Sequence, residues 1–173
     1  MISRIQVDGL NTEYYLRNGE NDVIFIVIPG NPGVVEFYID YVDKLQELVG
    51  YSVLCISHAG HVSTRFFEEH RLCSLEDQIV HKATFLDMLF DGKVPELGQV
   101  SEDTKIVLLG HSVGSYISLK IKYQFLDRVM SVFNLMPTIR NLFDGLSSHI
   151  KVPTNIRISS IACYPTWYPS FHR

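Results

Sequence analysis

The stretch Lys105-Ile106-Val107-Leu108-Leu109-Gly110-His111-Ser112-Val113-Gly114 decides the fold. Its first five residues form a short aliphatic run. Such a run, with no polar alternation, suits a strand covered on both faces, as in a parallel sheet under helices. It leads directly into a Gly-x-Ser-x-Gly pattern, after which residues 113–125 carry helical spacing. A strand, a tight turn and a helix therefore follow one another without a loop. By chance alone the five-residue pattern turns up in about 5% of chains this long, so its flanks carry the argument. Between a buried strand and a helix, the small residues on either side allow a sharp turn that lifts the hydroxyl of Ser112 to the top of the sheet.

Outward from this point the pattern repeats. Residues 22–29 (DVIFIVIP) are a second buried strand, ended by Gly30-Asn31-Pro32-Gly33. A helix over residues 35–49 is expected from the spacing of Phe37, Tyr38, Tyr41, Val42, Leu45 and Leu48. Residues 51–56 (YSVLCI) form the next strand, followed by the polar segment Ser57-His58-Ala59-Gly60-His61. Ser74 with Asp77 three residues on approximates a capping box, and Leu75, Ile79, Ala83, Leu86 and Phe90 form the stripe of the helix it opens. Residues 129–135 are one more strand. At the N-terminus, residues 2–7 and 12–16 read as strands about a turn at residues 8–11. Strands alternating with helices predict an α/β fold with a mainly parallel sheet. Beyond Pro137 the pattern fades: residues 141–148 fit a helix or a loop, and the segment ending Trp167-Tyr168-Pro169-Ser170-Phe171-His172-Arg173 has no period.

Composition narrows the function classes. A hydrophobic fraction of 46% against 20% charged residues suits a globular chain with a core rather than a disordered one. The net charge is −4 and the 15 basic residues are scattered, so no nucleic-acid partner is expected. The N-terminus has no signal-peptide pattern, and the longest apolar run, residues 23–29, falls far short of the ~20 residues that span a bilayer. Three cysteines, Cys55, Cys73 and Cys163, do not make a disulfide framework and weakly favour a reducing compartment.

The chemistry centres on Ser112 as a candidate nucleophile. An acyl transfer needs two backbone N–H groups facing the developing oxyanion. The residue after the serine, Val113, offers one, and Asn31 in the loop after the earlier strand offers the other, since Pro32 has no N–H. Gly30, Gly33, Gly110 and Gly114 are the glycines of the loop and the turn. That loop lacks the spacing of a nucleotide-binding motif. His58, His61 and His111 are candidates for the mouth of the site. Two histidines three residues apart fall short of the three or four ligands zinc takes, so no metal and no organic cofactor are expected.

Taken together, Ile28-Pro29-Gly30-Asn31-Pro32-Gly33 with Phe37-Tyr38, Ser57-His58-Ala59-Gly60-His61, Gln78 with His81-Lys82, Gly110-His111-Ser112-Val113-Gly114-Ser115-Tyr116 and Pro137-Thr138-Ile139 resemble the lipid-droplet-associated hydrolases. The resemblance covers about residues 22–140; the tail after about Ile158 does not resemble the family at all. It implies an α/β-hydrolase fold and a serine hydrolase acting on lipid esters, with cholesteryl ester as the substrate class. It also implies peripheral attachment to lipid droplets and to the cytosolic face of the endoplasmic reticulum. Ser112 matches the family nucleophile. In such proteins the acid and the histidine follow the serine in the chain, and the 61 residues after Ser112 are few for the strands that would carry them. Residues 1–140 are thus expected to be the N-terminal part of a hydrolase domain, and residues 141–173 the start of a lid region and a divergent tail. On this reading the chain by itself is incomplete for catalysis. Asp127, Asp144, His149 and His172 are poorly placed substitutes for the triad. Two other functions share the same features: an acyltransferase or thioesterase using the same serine, and a non-catalytic droplet-binding module held by aromatic residues such as Phe66-Phe67 and Trp167-Tyr168.

Overall fold

A computed structural model describes residues 1–62 and 73–138. Residues 66–67, 141–148, 163 and 167–168, with Asp144, His149 and His172, lie outside the described residues. The described residues form a six-stranded sheet in the order β1-β2-β4-β3-β5-β6. Its strands are β1 (Ile2–Val7), β2 (Leu10–Arg17), β3 (Glu20–Ile28), β4 (Tyr51–Ile56), β5 (Lys105–His111) and β6 (Val129–Leu135). β1 and β2 are antiparallel to each other, and β2 is antiparallel to β4; β4, β3, β5 and β6 run parallel. The turn between β1 and β2 is shorter than its polar composition suggests. Asp8 and Gly9 both have positive φ, 50° and 74°, the geometry of a two-residue hairpin, so β2 begins at Leu10.

Side chains alternate across the sheet, and both faces of its central strands β4, β3 and β5 are covered. Ile24, Ile26, Leu54, Ile56, Ile106 and Leu108 point into one cluster with Ile79, Leu86, Ile117 and Ile121 of helices α2 (Leu75–Phe90) and α3 (Val113–Gln124). Val27, Val53, Cys55, Val107 and Leu109 point the other way, onto Val35 and Val42. Those two residues belong to a short 3-10 helix (Val35–Tyr38) and to helix α1 (Ile39–Val49). The period of two along each strand thus separates two cores, which is why the central strands are apolar throughout.

The inward stripe of α1 differs from the sequence expectation. Tyr38, Val42, Leu45 and Val49, spaced four, three and four residues apart, face the sheet. Phe37, Tyr41 and Leu48 sit one residue earlier, about 100° around the helix, and stand in solvent. Helix α2 opens with the expected capping box: Ser74 Oγ accepts from the Asp77 N–H at 3.1 Å, and the Ser74 N–H donates to Asp77 Oδ2 at 2.7 Å. Its buried face is wider than the apolar stripe and takes in Gln78, His81 and Lys82.

The register sets the site. Ile28 of β3 pairs with Gly110 of β5, His111 of β5 with Leu135 of β6, and Val27 of β3 with Cys55 of β4. The loops after β3, β4, β5 and β6 therefore leave the same edge of the sheet. The chain departs from β3 and β5 toward opposite faces, and ligands of open α/β sheets bind at such a point, outside the carboxyl ends of the strands.

Candidate active site

Ser112 lies between β5 and α3 with φ 52° and ψ −119°, backbone angles that non-glycine residues seldom adopt. Such a conformation costs on the order of 1–3 kcal/mol and persists only where its surroundings enforce it. Here three backbone bonds do so. The Ser112 N–H donates to the Leu135 carbonyl at 3.0 Å, and the Ser112 carbonyl accepts from Ser115 and Thr138 N–H groups, each at 3.1 Å. The Ser115 hydroxyl closes the turn onto the Gly110 carbonyl at 2.7 Å. The flanking glycines are required by space. A Cβ at Gly110 would stand 2.5 Å from Ser115 Cα, and one at Gly114 would run into the Ile28 carbonyl of β3.

The loop at residues 29–33 meets this turn directly. A Cβ on Gly30 would come within 2.9 Å of His111 Nδ1 and 3.0 Å of Ser112 Cβ, so only glycine lets the loop sit this close. Gly30 and Ser112 thus touch, and the next residue of each segment is Asn31 and Val113. Among the described residues, no hydrogen bond engages the amide of either one. The Gly30 amide, by contrast, is taken: it donates to the Tyr38 hydroxyl at 2.8 Å. Tyr38 also meets His111 Nδ1 at 2.6 Å, with the two rings edge-on.

The Ser112 hydroxyl has Thr138 Oγ1 at 3.2 Å as its side-chain partner among the described residues. A threonine hydroxyl is no general base at neutral pH. No described histidine or carboxylate hydrogen bonds with Ser112. Asp127, one of the substitute acids, lies between α3 and β6, and its carbonyl accepts from Lys105. Thr138 was not singled out as a site residue from the sequence, although it stands in the Pro137-Thr138-Ile139 motif.

His58 and His61 are buried against the loop and do not stand at an exposed rim. Gly33, with φ +77°, backs onto the His58 ring, where a Cβ would fall 2.5 Å from Cδ2; its carbonyl accepts from the His58 N–H at 2.8 Å. His61 Nδ1 bonds with the Pro32 carbonyl. Behind these residues lies a polar cluster whose packing was not evident from the sequence. Gln78 clamps Ala59, accepting its N–H at 2.7 Å and donating to its carbonyl at 3.0 Å. Lys82, with no exposed surface, donates to the Ser57 carbonyl at 2.6 Å and to His81 Nδ1 at 3.0 Å, while His81 Nε2 meets the Thr12 hydroxyl at 2.7 Å. Burial disfavours the ammonium and brings the Lys82 pKa down to about 7. Burial, then the nearby Lys82 charge, brings His81 down to about 2. His58 is driven well below the ordinary histidine value, first by burial and then by Lys82, His61 and His81. His61 is lowered by burial against the opposing pull of the Pro32 carbonyl. At neutral pH these three rings are uncharged. Among the described residues no group of three His, Cys, Asp or Glu side chains is arranged to hold a metal. No helix among them is long and apolar enough to cross a membrane.

A mainly parallel sheet with helices on both faces, and a serine on a tight turn at its carboxyl edge, define the α/β-hydrolase class. The fold is similar to that of a solved protein that cleaves the ring of the Pseudomonas quinolone signal (TM-score 0.63, 18% identity, 80% of this chain and 46% of that one). It is also similar to the mouse alpha/beta hydrolase domain-containing protein 10 (TM-score 0.55, 17% identity, 78% and 48%). Within that class, the chain belongs to the lipid-droplet associated hydrolase family, which matches residues 21–171. The match runs through most of the tail after Ile158 and corrects the expectation that this tail does not resemble the family. The lipid droplet-associated hydrolase of Dictyostelium discoideum is 40% identical over 136 residues, and that of Homo sapiens 31% over 147. Each alignment covers 76% of this chain but only 43% and 42% of the relative, so the chain spans less than half the length of these proteins.

Proposed function

We propose that Ser112 is the nucleophile of an acyl transfer that hydrolyses a lipid carboxylic ester at a lipid-droplet surface. Its oxygen attacks the ester carbonyl carbon while a base takes its proton. The carbonyl oxygen becomes an oxyanion, held by the N–H groups of Asn31 and Val113. Collapse of this intermediate releases the alcohol, which receives the proton. Water then attacks the acyl carbon while the base takes its proton, the bond to the Ser112 oxygen breaks, that oxygen recovers the proton and the free acid leaves. The histidine that relays these protons, and the acid that orients it, come from outside the described residues. No step calls for a metal or an organic cofactor.

The observation that supports this reading is the close approach of Gly30 to Ser112, a residue held at positive φ; Asn31 and Val113 follow them in the chain, and their amides have no hydrogen-bond partner among the described residues. Membership of the family supports a lipid ester, cholesteryl ester being the class the resemblance suggests, and a peripheral station on the droplet or the cytosolic face of the endoplasmic reticulum. One observation favours a second reading. Because Thr138 is the hydroxyl's partner among the described residues, a droplet-binding module without turnover fits as well. The test is release of fatty acid from emulsified cholesteryl ester, with thioesters and long-chain alcohols as alternative substrate and acceptor. In a protein that carries the histidine and the acid, the proposal predicts release that disappears in Ser112→Ala. Release unchanged in Ser112→Ala refutes it, and droplet association that survives this substitution in a chain without turnover supports the binding module.

A further inference from the structure

Tyr38 stands eight residues beyond Gly30 and 73 residues before His111, yet its hydroxyl touches both. It lies where the 3-10 helix passes into α1, immediately after the loop. A phenol oxygen accepts through its lone pairs and donates through one proton. The Gly30 N–H has only a proton to offer, so the tyrosine oxygen accepts there. The phenol proton is then free to go to His111 Nδ1. Burial raises the Tyr38 pKa above its ordinary value, so the hydroxyl keeps that proton at neutral pH. In that arrangement His111 accepts at Nδ1 and carries its own hydrogen on Nε2.

We infer that Tyr38 is a positioning residue for the oxyanion site, its hydroxyl tying the Gly30 amide to His111 Nδ1 so that the loop and the serine turn keep a fixed separation. The inference rests on the acyl-transfer reading of Ser112. Without the tie, Gly30 is held against His111 and Ser112 by packing alone, and the Asn31 amide that follows it loses its fixed place. Gly30 cannot itself serve as an oxyanion donor, because Tyr38 occupies its N–H. Tyr38 touches no reacting atom and acts only through the loop.

The experiment measures the second-order rate of fluorophosphonate labelling of Ser112 in the full chain, in Tyr38→Phe, in His111→Leu and in the double variant. Loss of a direct oxyanion donor costs 100- to 1,000-fold, and misplacing one costs less. Each single variant is expected to label about tenfold more slowly. Because both remove one shared tie, the double variant is expected to be no slower than either single one. Nitrogen NMR of His111 is expected to show an unprotonated Nδ1 and a protonated Nε2, a signature that disappears in Tyr38→Phe and that a merely space-filling tyrosine would not set. Tyr38→Phe labelling at the parent rate, multiplicative losses in the double variant, or a proton on Nδ1 overturns the inference and leaves the Ser112 reading standing. A parent chain that labels no better than Ser112→Ala overturns the Ser112 reading itself, and this inference with it. Thermal unfolding of each variant separates a lost tie from a lost fold: a slower rate at an unchanged transition supports the tie, and a rate that merely follows a falling transition overturns it.

Discussion

Replacing Lys82 by Met tests the buried polar cluster through the pH dependence of stability. Lys82 has no exposed surface, and its pKa falls from 10.5 to about 7 on folding. A base with a depressed folded pKa favours folding when neutral. Its stability contribution is therefore fullest above pH 10.5, falls as the pH drops, and levels off below the folded value near 7. Each pKa unit is worth about 1.4 kcal/mol, so the linkage costs the parent about 3 kcal/mol between pH 9.5 and pH 7. Methionine has similar length and no charge. It leaves the Ser57 carbonyl and His81 Nδ1 without this donor, but that penalty is the same at both pH values and drops out of the comparison. Urea unfolding of both proteins at pH 7 and 9.5 is the assay. The stability of the parent relative to Lys82→Met is expected to worsen by about 3 kcal/mol at the lower pH. A difference that stays constant within about 0.5 kcal/mol would refute the depressed pKa and the dry cluster from which it follows.

Gly114→Ala drives a methyl group into the backbone of β3 and is expected to cost about 2 kcal/mol or more, read by urea unfolding; a cost under about 0.5 kcal/mol would show that α3 sits farther from β3 than described. His58, His61 and His81 all have lowered pKa values, so their contributions are present above about pH 6.5 and are lost as the pH falls below it. Unfolding near pH 5.5 should take up protons at these rings, about one of them at His81, whereas unfolding at pH 8 should take up about one at Lys82 instead; the pH slope of the unfolding free energy measures both, and His81→Asn should remove about one proton at pH 5.5. Thr138→Val keeps the shape beside Ser112 and removes its hydroxyl partner. Because a threonine hydroxyl is no base, fluorophosphonate labelling should change less than about threefold; a hundredfold loss would give Thr138 a part in proton transfer.

Much of the fold was legible because local and global signals agree. The aliphatic runs are buried on both faces at residues 26–28 and 106–109, and Ser74 with Asp77 caps the helix its spacing announced. The turn at Ser112 was readable because steric crowding at residues 110 and 114 admits little beyond glycine. Other features depend on contacts that no local pattern carries. Phe37, Tyr41 and Leu48 have helical spacing, but an apolar residue one position off the buried stripe reads the same in sequence. Gln78, His81 and Lys82 look like a solvated helix face, and only the packing of the segment at residues 57–61 over α2 makes them interior. Tyr38 and Thr138 reach the site through strand register, across 73 and 26 residues of chain.

The central claim is that Ser112 is a nucleophile beside preformed oxyanion donors. Its most direct test is incubation of the folded chain with a fluorophosphonate probe, followed by peptide mass mapping, with Ser112→Ala alongside. Labelling needs a base that takes the serine proton, so probe at Ser112 would also place a base within its reach and overturn the expectation that the chain by itself is incomplete for catalysis. The account predicts probe on the peptide containing Ser112, ahead of every other serine, and none there in the alanine variant. A folded chain that takes up no probe at Ser112, or takes it up equally at other serines, would contradict it.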